Sequence, residues 1–384
     1  MPSGLTPYLG TKIGADAVDN ILGILAASML TVTTFSLSIM VNAYSAATTN
    51  VTPRATSLVI EDSTTQTVLA TFIGSFLFSL VGIVTLSAGA YGEEGRVLLF
   101  VVTLLVIALI ILTLIRWIGH ISRLGRVGDT IDRVEDAVLS AIQEICPLTG
   151  LRAGSPSPVP ADARFLHLEE VGYLAHMDIT RLRQIASETT ARINVMVLPG
   201  AFLEPARPVV WLVEPLNVDV EASIRSCFTI NLRRSFDQDP RFGLSVLAEI
   251  ASRALSPSIN DAGTALDVLS RAIRLFQAAT GPERAEVPGD NYLTLPKLDL
   301  DDLFDDLFTP IARDGASIVE IHIRLQKILA SLQRMDRRLD EPARRHSLLA
   351  FKRAEASLLI DEDKQQLRRL TLSMQNPVEG WRNV

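Results

Sequence analysis

Along the first third of the chain, hydrophobic positions are continuous rather than periodic. Three runs, Ile21–Val41, Val68–Leu86 and Val97–Ile115, contain no ionisable side chain. At 1.5 Å rise per residue, each covers the roughly 30 Å of a bilayer's hydrocarbon. Residues 1–118 are therefore expected to form a transmembrane domain with spans 21–41, 68–86 and 97–115. Beyond Arg116 the pattern turns amphipathic through Ile118, Ile121, Leu124, Val127, Ile131, Val134 and Val138, which predicts one helix running on from the third span to about Glu144. That segment, 119–146, is a stalk or a domain-packing helix. Gly and Pro then mark 147–163 as a linker.

Residues 164–222 read as a small α/β domain, with a helix capped by Asp178 and strands around Ile193–Val197 and Val209–Val213. Residues 223–384 read as a helical domain. Within it Ile318, Ile321, Leu325, Ile328, Leu332, Met335 and Leu339 keep three-four spacing, as a helix packed in its own domain or as a seam for self-association. The predicted fold class is a membrane α-helical unit of three transmembrane helices joined to a cytoplasmic α/β and helical domain.

Polar positions inside the spans separate their roles. The third span is nearly all Leu, Val and Ile, with Thr103 and Thr113 its polar residues, and is expected to face lipid. The second carries Gly74, Ser75, Ser79 and Gly82, small residues that admit a neighbouring helix. The first has a stripe, Ser28, Thr31, Thr34, Ser38 and Asn42, continued by Ser45, at helical spacing. Its hydroxyls can bond to carbonyls of the preceding turn or to another helix, or they can line a water-filled path. Three spans cannot enclose a path, so the second option requires several copies around an axis. The uncharged spans argue against a proton relay or voltage sensor. Between the first two spans, Thr52-Pro53 predicts a helix start, with an interfacial helix from Arg54 to about Gln66.

Charge fixes orientation and narrows partners. Arg116, Arg123, Arg126 and Arg133 follow the third span, against Arg96 alone between the second and third, so the C-terminal domain is expected in the cytoplasm. Net charge is −7 with both signs interspersed, which argues against nucleic acid. Cys146 and Cys227 are isolated, and neither a disulfide nor a zinc site is suggested.

The densest motif is Arg233-Arg234-Ser235-Phe236-Asp237-Gln238-Asp239-Pro240-Arg241-Phe242-Gly243-Leu244, followed by Ala254-Leu255-Ser256-Pro257-Ser258-Ile259-Asn260-Asp261. Asp239 with Pro240 predicts one helix start and Asn260 or Asp261 the next. Arg233, Arg234, Asp237, Asp239, Arg241, Arg253, Asn260 and Asp261 exceed what caps require, and they form either an ion-pair lattice at a helix corner or an anion or metal site. These motifs resemble a bacterial family of predicted membrane proteins, a domain of unknown function. The resemblance implies a multi-pass membrane location, with a cytoplasmic domain, and no particular activity, substrate or cofactor.

Asp299–Asp306 is acidic, but Leu300, Leu303, Phe304 and Leu307 give it an amphipathic face, and it lacks the loop spacing of calcium motifs. The five histidines are scattered and no nucleophile elbow or phosphate-cradling glycine loop is present. The expectation is a non-enzymatic protein of the bacterial inner membrane, without cofactor or metal, embedded in lipid as a homo-oligomer. Its activity is read as a passive conduit for an ion or small solute, or as a membrane-anchored scaffold or sensor.

Overall fold

The computed structural model describes residues 15–55, 58, 63–121, 126–149, 151–152, 159–281 and 292–375. They form two compact units, one up to Thr130 and one from Ile131.

The first unit holds α1 (Ala15–Asn50), α2 (Ser63–Ser87) and α3 (Glu93–Ile121), all three long and apolar enough to cross a membrane. Gly82 of α2 lies under Leu22 of α1, whose methyl carbon sits 2.9 Å from where a Cβ would be. Close approach of the two helices thus depends on a missing side chain. Met29, Val68, Phe72, Ile110 and Trp117 fill one part of the interior, and Val18, Leu22 and Leu99 another. Polar groups are satisfied mostly along the helices, as when Ser75 and Ser79 donate to the carbonyls of Thr71 and Ser75. Between helices, Trp117 Nε1 donates to Ser36 Oγ at 2.9 Å, and Thr65 Oγ1 meets His120 Nε2 at 3.2 Å.

Three expectations change here. Thr103 and Thr113 of α3 are buried, so one face of that helix packs on protein while Leu98, Leu105 and Leu112 stay exposed. Gly74 is exposed, with open space where a Cβ would be, and packs against no other helix among the described residues. The third span ends at Ile121, and the amphipathic pattern beyond it is a separate helix, α4 (Val127–Thr149). The expected interfacial helix after Arg54 falls largely outside the described residues, and its last turn, from Ser63, belongs to α2.

In the second unit α4 is no bare stalk. Ile131, Val134, Val138, Ala141, Ile142 and Ile145, on one helical face, are all buried. There follow β1 (Leu151–Arg152), β2 (Arg164–His167), β3 (Gly172–Met177), α5 (Ile179–Thr189), β4 (Ile193–Val195), β5 (Phe202–Leu203), β6 (Pro208–Leu212), α6 (Val218–Arg225) and β7 (Phe228–Asn231). The chain continues as α7 (Pro240–Ala254), α8 (Ala262–Ala279), β8 (Leu293–Thr294), β9 (Leu298–Asp299), α9 (Leu300–Asp314), α10 (Val319–Met335), α11 (Asp340–Ser357) and α12 (Asp361–Gln375). One sheet runs β2-β6-β4-β8, a second β5-β3-β7, and β1 pairs with β9. Strands from beyond residue 223 therefore complete all three sheets. In the helical half, Phe276, Phe304 and Phe308 stack together at the centre. Ile321, Leu325, Ile328 and Leu332 of α10 are buried within this unit.

Candidate functional site

Asp239 is the hinge of the motif region. It caps α7 by accepting from the Phe242 N–H at 3.0 Å, and its two oxygens accept from Arg234 Nε at 2.7 Å and Nη2 at 2.9 Å. A carboxylate only 2% exposed is thereby matched by a bidentate guanidinium, which also lies over the Phe242 ring at 5.3 Å. Gln238 ties this turn inward, accepting from the Met177 N–H at 2.8 Å and donating to Glu144 at 2.6 Å. Asp237 points elsewhere, to exposed His176 at 3.1 Å. Against Asp239 lies Gly200, held by its N–H to the Leu174 carbonyl at 2.8 Å, with φ of +90°. A Cβ there would fall on the Asp239 carboxylate.

Arg241 turns from this corner toward α9, where it pairs with Asp306 at 2.7 Å and with Asp302. Asp301 and Asp305 of the same helix pair with Arg345. Asp301, Asp302, Asp305 and Asp306 of the acidic run are thus held by arginines. Arg233 is exposed. The remaining motif residues, Arg253, Asn260 and Asp261, sit at or just past the far end of the 15-residue α7, about 22 Å away along its axis. There Asp261 caps α8, accepting from the Thr264 N–H at 3.1 Å and its hydroxyl at 2.6 Å, bonds that hold its pKa below the usual carboxylate value. Asn260 before it takes φ of +53°, and Arg253 is in the last turn of α7. The eight residues accordingly divide between two ends of one helix.

A second lattice carries no sequence motif. Arg271, 9% exposed, pairs with Asp132, Glu135 and Asp267, and Arg274 shares Glu135. Burial pushes the Glu135 pKa up, but the bonds from Arg274 and Arg271 outweigh it and leave the carboxyl below its ordinary value. Among the described residues no three His, Cys, Asp or Glu side chains are placed to hold a metal ion. Burial raises the thiols of Cys146 and Cys227 to about 12 and about 11, which leaves them unreactive.

Beside Asp239 opens a cleft of about 400 Å³, walled by the Met196–Ala201 backbone, the start of α7 and the Pro296–Asp299 stretch. Arg207, Arg234, Arg241 and Lys297 line it. Gly200, Arg207 and Lys297 escaped sequence reading, since Pro199-Gly200 looks like an ordinary strand end and the others stand outside any motif. In the first unit, Ser28, Thr31, Thr34, Ser38 and Asn42 all lie on the exposed side of α1, over about 21 Å. Thr31 donates to the Ala27 carbonyl at 2.9 Å, and Thr34 to those of Leu30 and Thr31. Ser28, Ser38 and Asn42 have no side-chain partner among the described residues.

Residues 2–331 match the family described as predicted membrane protein (DUF2254). The chain belongs to that family. The matched stretch takes in all three apolar helices, the Asp239 corner and the cleft, and stops within α10. The chain is 25% identical over 260 residues to the uncharacterized proteins Mb1321c of Mycobacterium bovis and Rv1290c of Mycobacterium tuberculosis, covering 65% of itself and 50% of each relative. It spans half the length of these relatives. No solved structure matches it.

Proposed function

We propose that this membrane protein assembles as a homo-oligomer in the bacterial inner membrane, with its C-terminal unit in the cytoplasm, and forms a passive, channel-like conduit that the unit assembles or gates. The observation carrying this reading is the exposure of the whole Ser28–Asn42 stripe on α1. An amide such as that of Asn42 loses several kcal/mol if left without partners in hydrocarbon, so the stripe favours water or another copy over lipid. The interior of one three-helix unit is filled by Phe72, Met29 and Trp117, which leaves the path between copies. Spans free of ionisable groups suit passive passage.

A scaffold or sensor is favoured by a different observation. Thr31 and Thr34 are satisfied within their own helix, so this face can close dry against a second copy. Flux through the reconstituted oligomer separates the two. A conduit passes an ion or small solute, and Thr34→Leu cuts the flux by dewetting the narrowest ring while assembly persists. A scaffold passes nothing, and Thr34→Leu only weakens assembly. Orientation is checked by thiol labelling in intact cells. A cysteine at exposed Gly92 should react with a membrane-impermeant reagent and one at exposed Ser258 should not, over the low background of two buried native cysteines.

A further inference from the structure

The cleft beside Asp239 has an imbalance that neither reading uses. Its volume of about 400 Å³ falls within the range of small-molecule sites. Its carboxylates are already engaged: Asp239 by Arg234 and the Phe242 N–H, Asp302 by Arg241, and Asp299 by the Asp301 N–H at 3.0 Å. Its cations keep open donors. Arg234 gives Nε and Nη2 to Asp239 and retains Nη1, Arg207 gives one N–H to the Phe202 carbonyl at 2.7 Å, and the exposed Lys297 ammonium has no partner among the described residues. Arg234 is moreover held in place by two bonds and an aromatic face, so its free edge is positioned before any ligand arrives.

We infer that the cleft binds a small organic phosphate, with its phosphoryl oxygens on Arg207, Arg234 and Lys297 and its carbon skeleton along Leu198, Pro199 and Pro296. A doubly charged head with three acceptor oxygens matches three separate cations better than a single carboxylate, which one arginine fork would satisfy. The lining has no aromatic ring on which a nucleobase could stack. At about 400 Å³ the cleft holds a small free metabolite whole, whereas a lipid headgroup would bring the same phosphoryl oxygens with its acyl chains outside, and the test separates the two sources. The inference stands apart from the conduit reading, since it concerns the second unit alone.

The test is calorimetric titration and thermal denaturation of the full-length protein in detergent, using glycerol 3-phosphate and pyrophosphate as probes at constant ionic strength. Saturable binding is expected, weakened at least about tenfold, a loss of 1.4 kcal/mol, by Lys297→Glu and by Arg207→Glu. Both side chains are exposed, so the unliganded melting temperature should hold. Lys297→Gln, with an intermediate loss, covers the case of a misfolded charge reversal. The proposal is overturned if glycerol 3-phosphate does not bind the wild type saturably, whatever pyrophosphate does, or if the variants bind it as well as the wild type. It is equally overturned if citrate binds as tightly as the phosphates, or if only micelles doped with phosphatidic acid elicit a response.

Discussion

The two units house polar side chains in opposite ways. In the three-helix unit, Thr31, Ser75, Ser79 and Thr103 each donate to the carbonyl four residues back, so the helix satisfies them before it meets a neighbour. In the second unit, Arg241 reaches Asp306 and Arg271 reaches Glu135, partners that are distant in sequence. Hydrocarbon offers no water to a stranded group, which favours local solutions. In the second unit separate elements supply partners for these two arginines, and the geometry is then specified by the pairing. The first unit should therefore tolerate loss of a polar group, and the second should not.

The largest effect is expected from Asp239→Ala, which strands Arg234 and uncaps α7, at a cost of about 3–5 kcal/mol in chemical denaturation. Arg271→Ala should cost less, about 1–3 kcal/mol, because Glu135 keeps Arg274. Equal losses would mean that shared pairing gives no protection.

Acid should act on the second unit next. Burial lowers the pKa of His322 to about 4, with a smaller push from Arg353, and lowers that of His346 to about 4, with Arg345 adding to burial against Asp305. Both values lie below the ordinary 6.5, so the unfolded chain binds more protons between them. Stability is complete above about pH 6.5 and falls as pH drops toward 4, by about 3 kcal/mol for His322 alone. His322→Leu should flatten that slope in pH-dependent melting of the second unit's transition.

Gly200→Ala puts a Cβ onto the Asp239 carboxylate at a positive φ, with an expected loss of about 1–3 kcal/mol. The smallest effect is predicted in the first unit. Ser79→Ala removes a hydroxyl bonded to the Ser75 carbonyl of its own helix, strands no donor, and should cost at most about 0.6 kcal/mol in detergent-based unfolding. A loss as large as that of Asp239→Ala would erase the contrast between the units.

What the sequence made legible follows the same division. Apolar runs of about 20 residues without charge have one solution, and the caps at Asp178, Asp239 and Asp261 are local contacts readable from neighbours. The buried face of α3 was not legible, because a helix apolar all round carries no stripe to show which side meets protein. The partners of Arg241 lie 61 and 65 positions on, and β8 and β9 are two-residue strands whose pairing is set by tertiary structure. The cleft depends on Gly200 being carried to Asp239 by the β3 ladder, which no local pattern announces.

A conduit requires the exposed stripe of α1 to meet water inside an assembly. It is tested most directly by cysteine accessibility in reconstituted membranes, comparing Thr34→Cys with Leu105→Cys on the exposed face of α3. A small water-soluble thiol reagent should modify the residue 34 cysteine quickly and leave the residue 105 cysteine untouched. Equal protection of both positions, with the residue 34 cysteine forming disulfides between copies, would contradict the conduit.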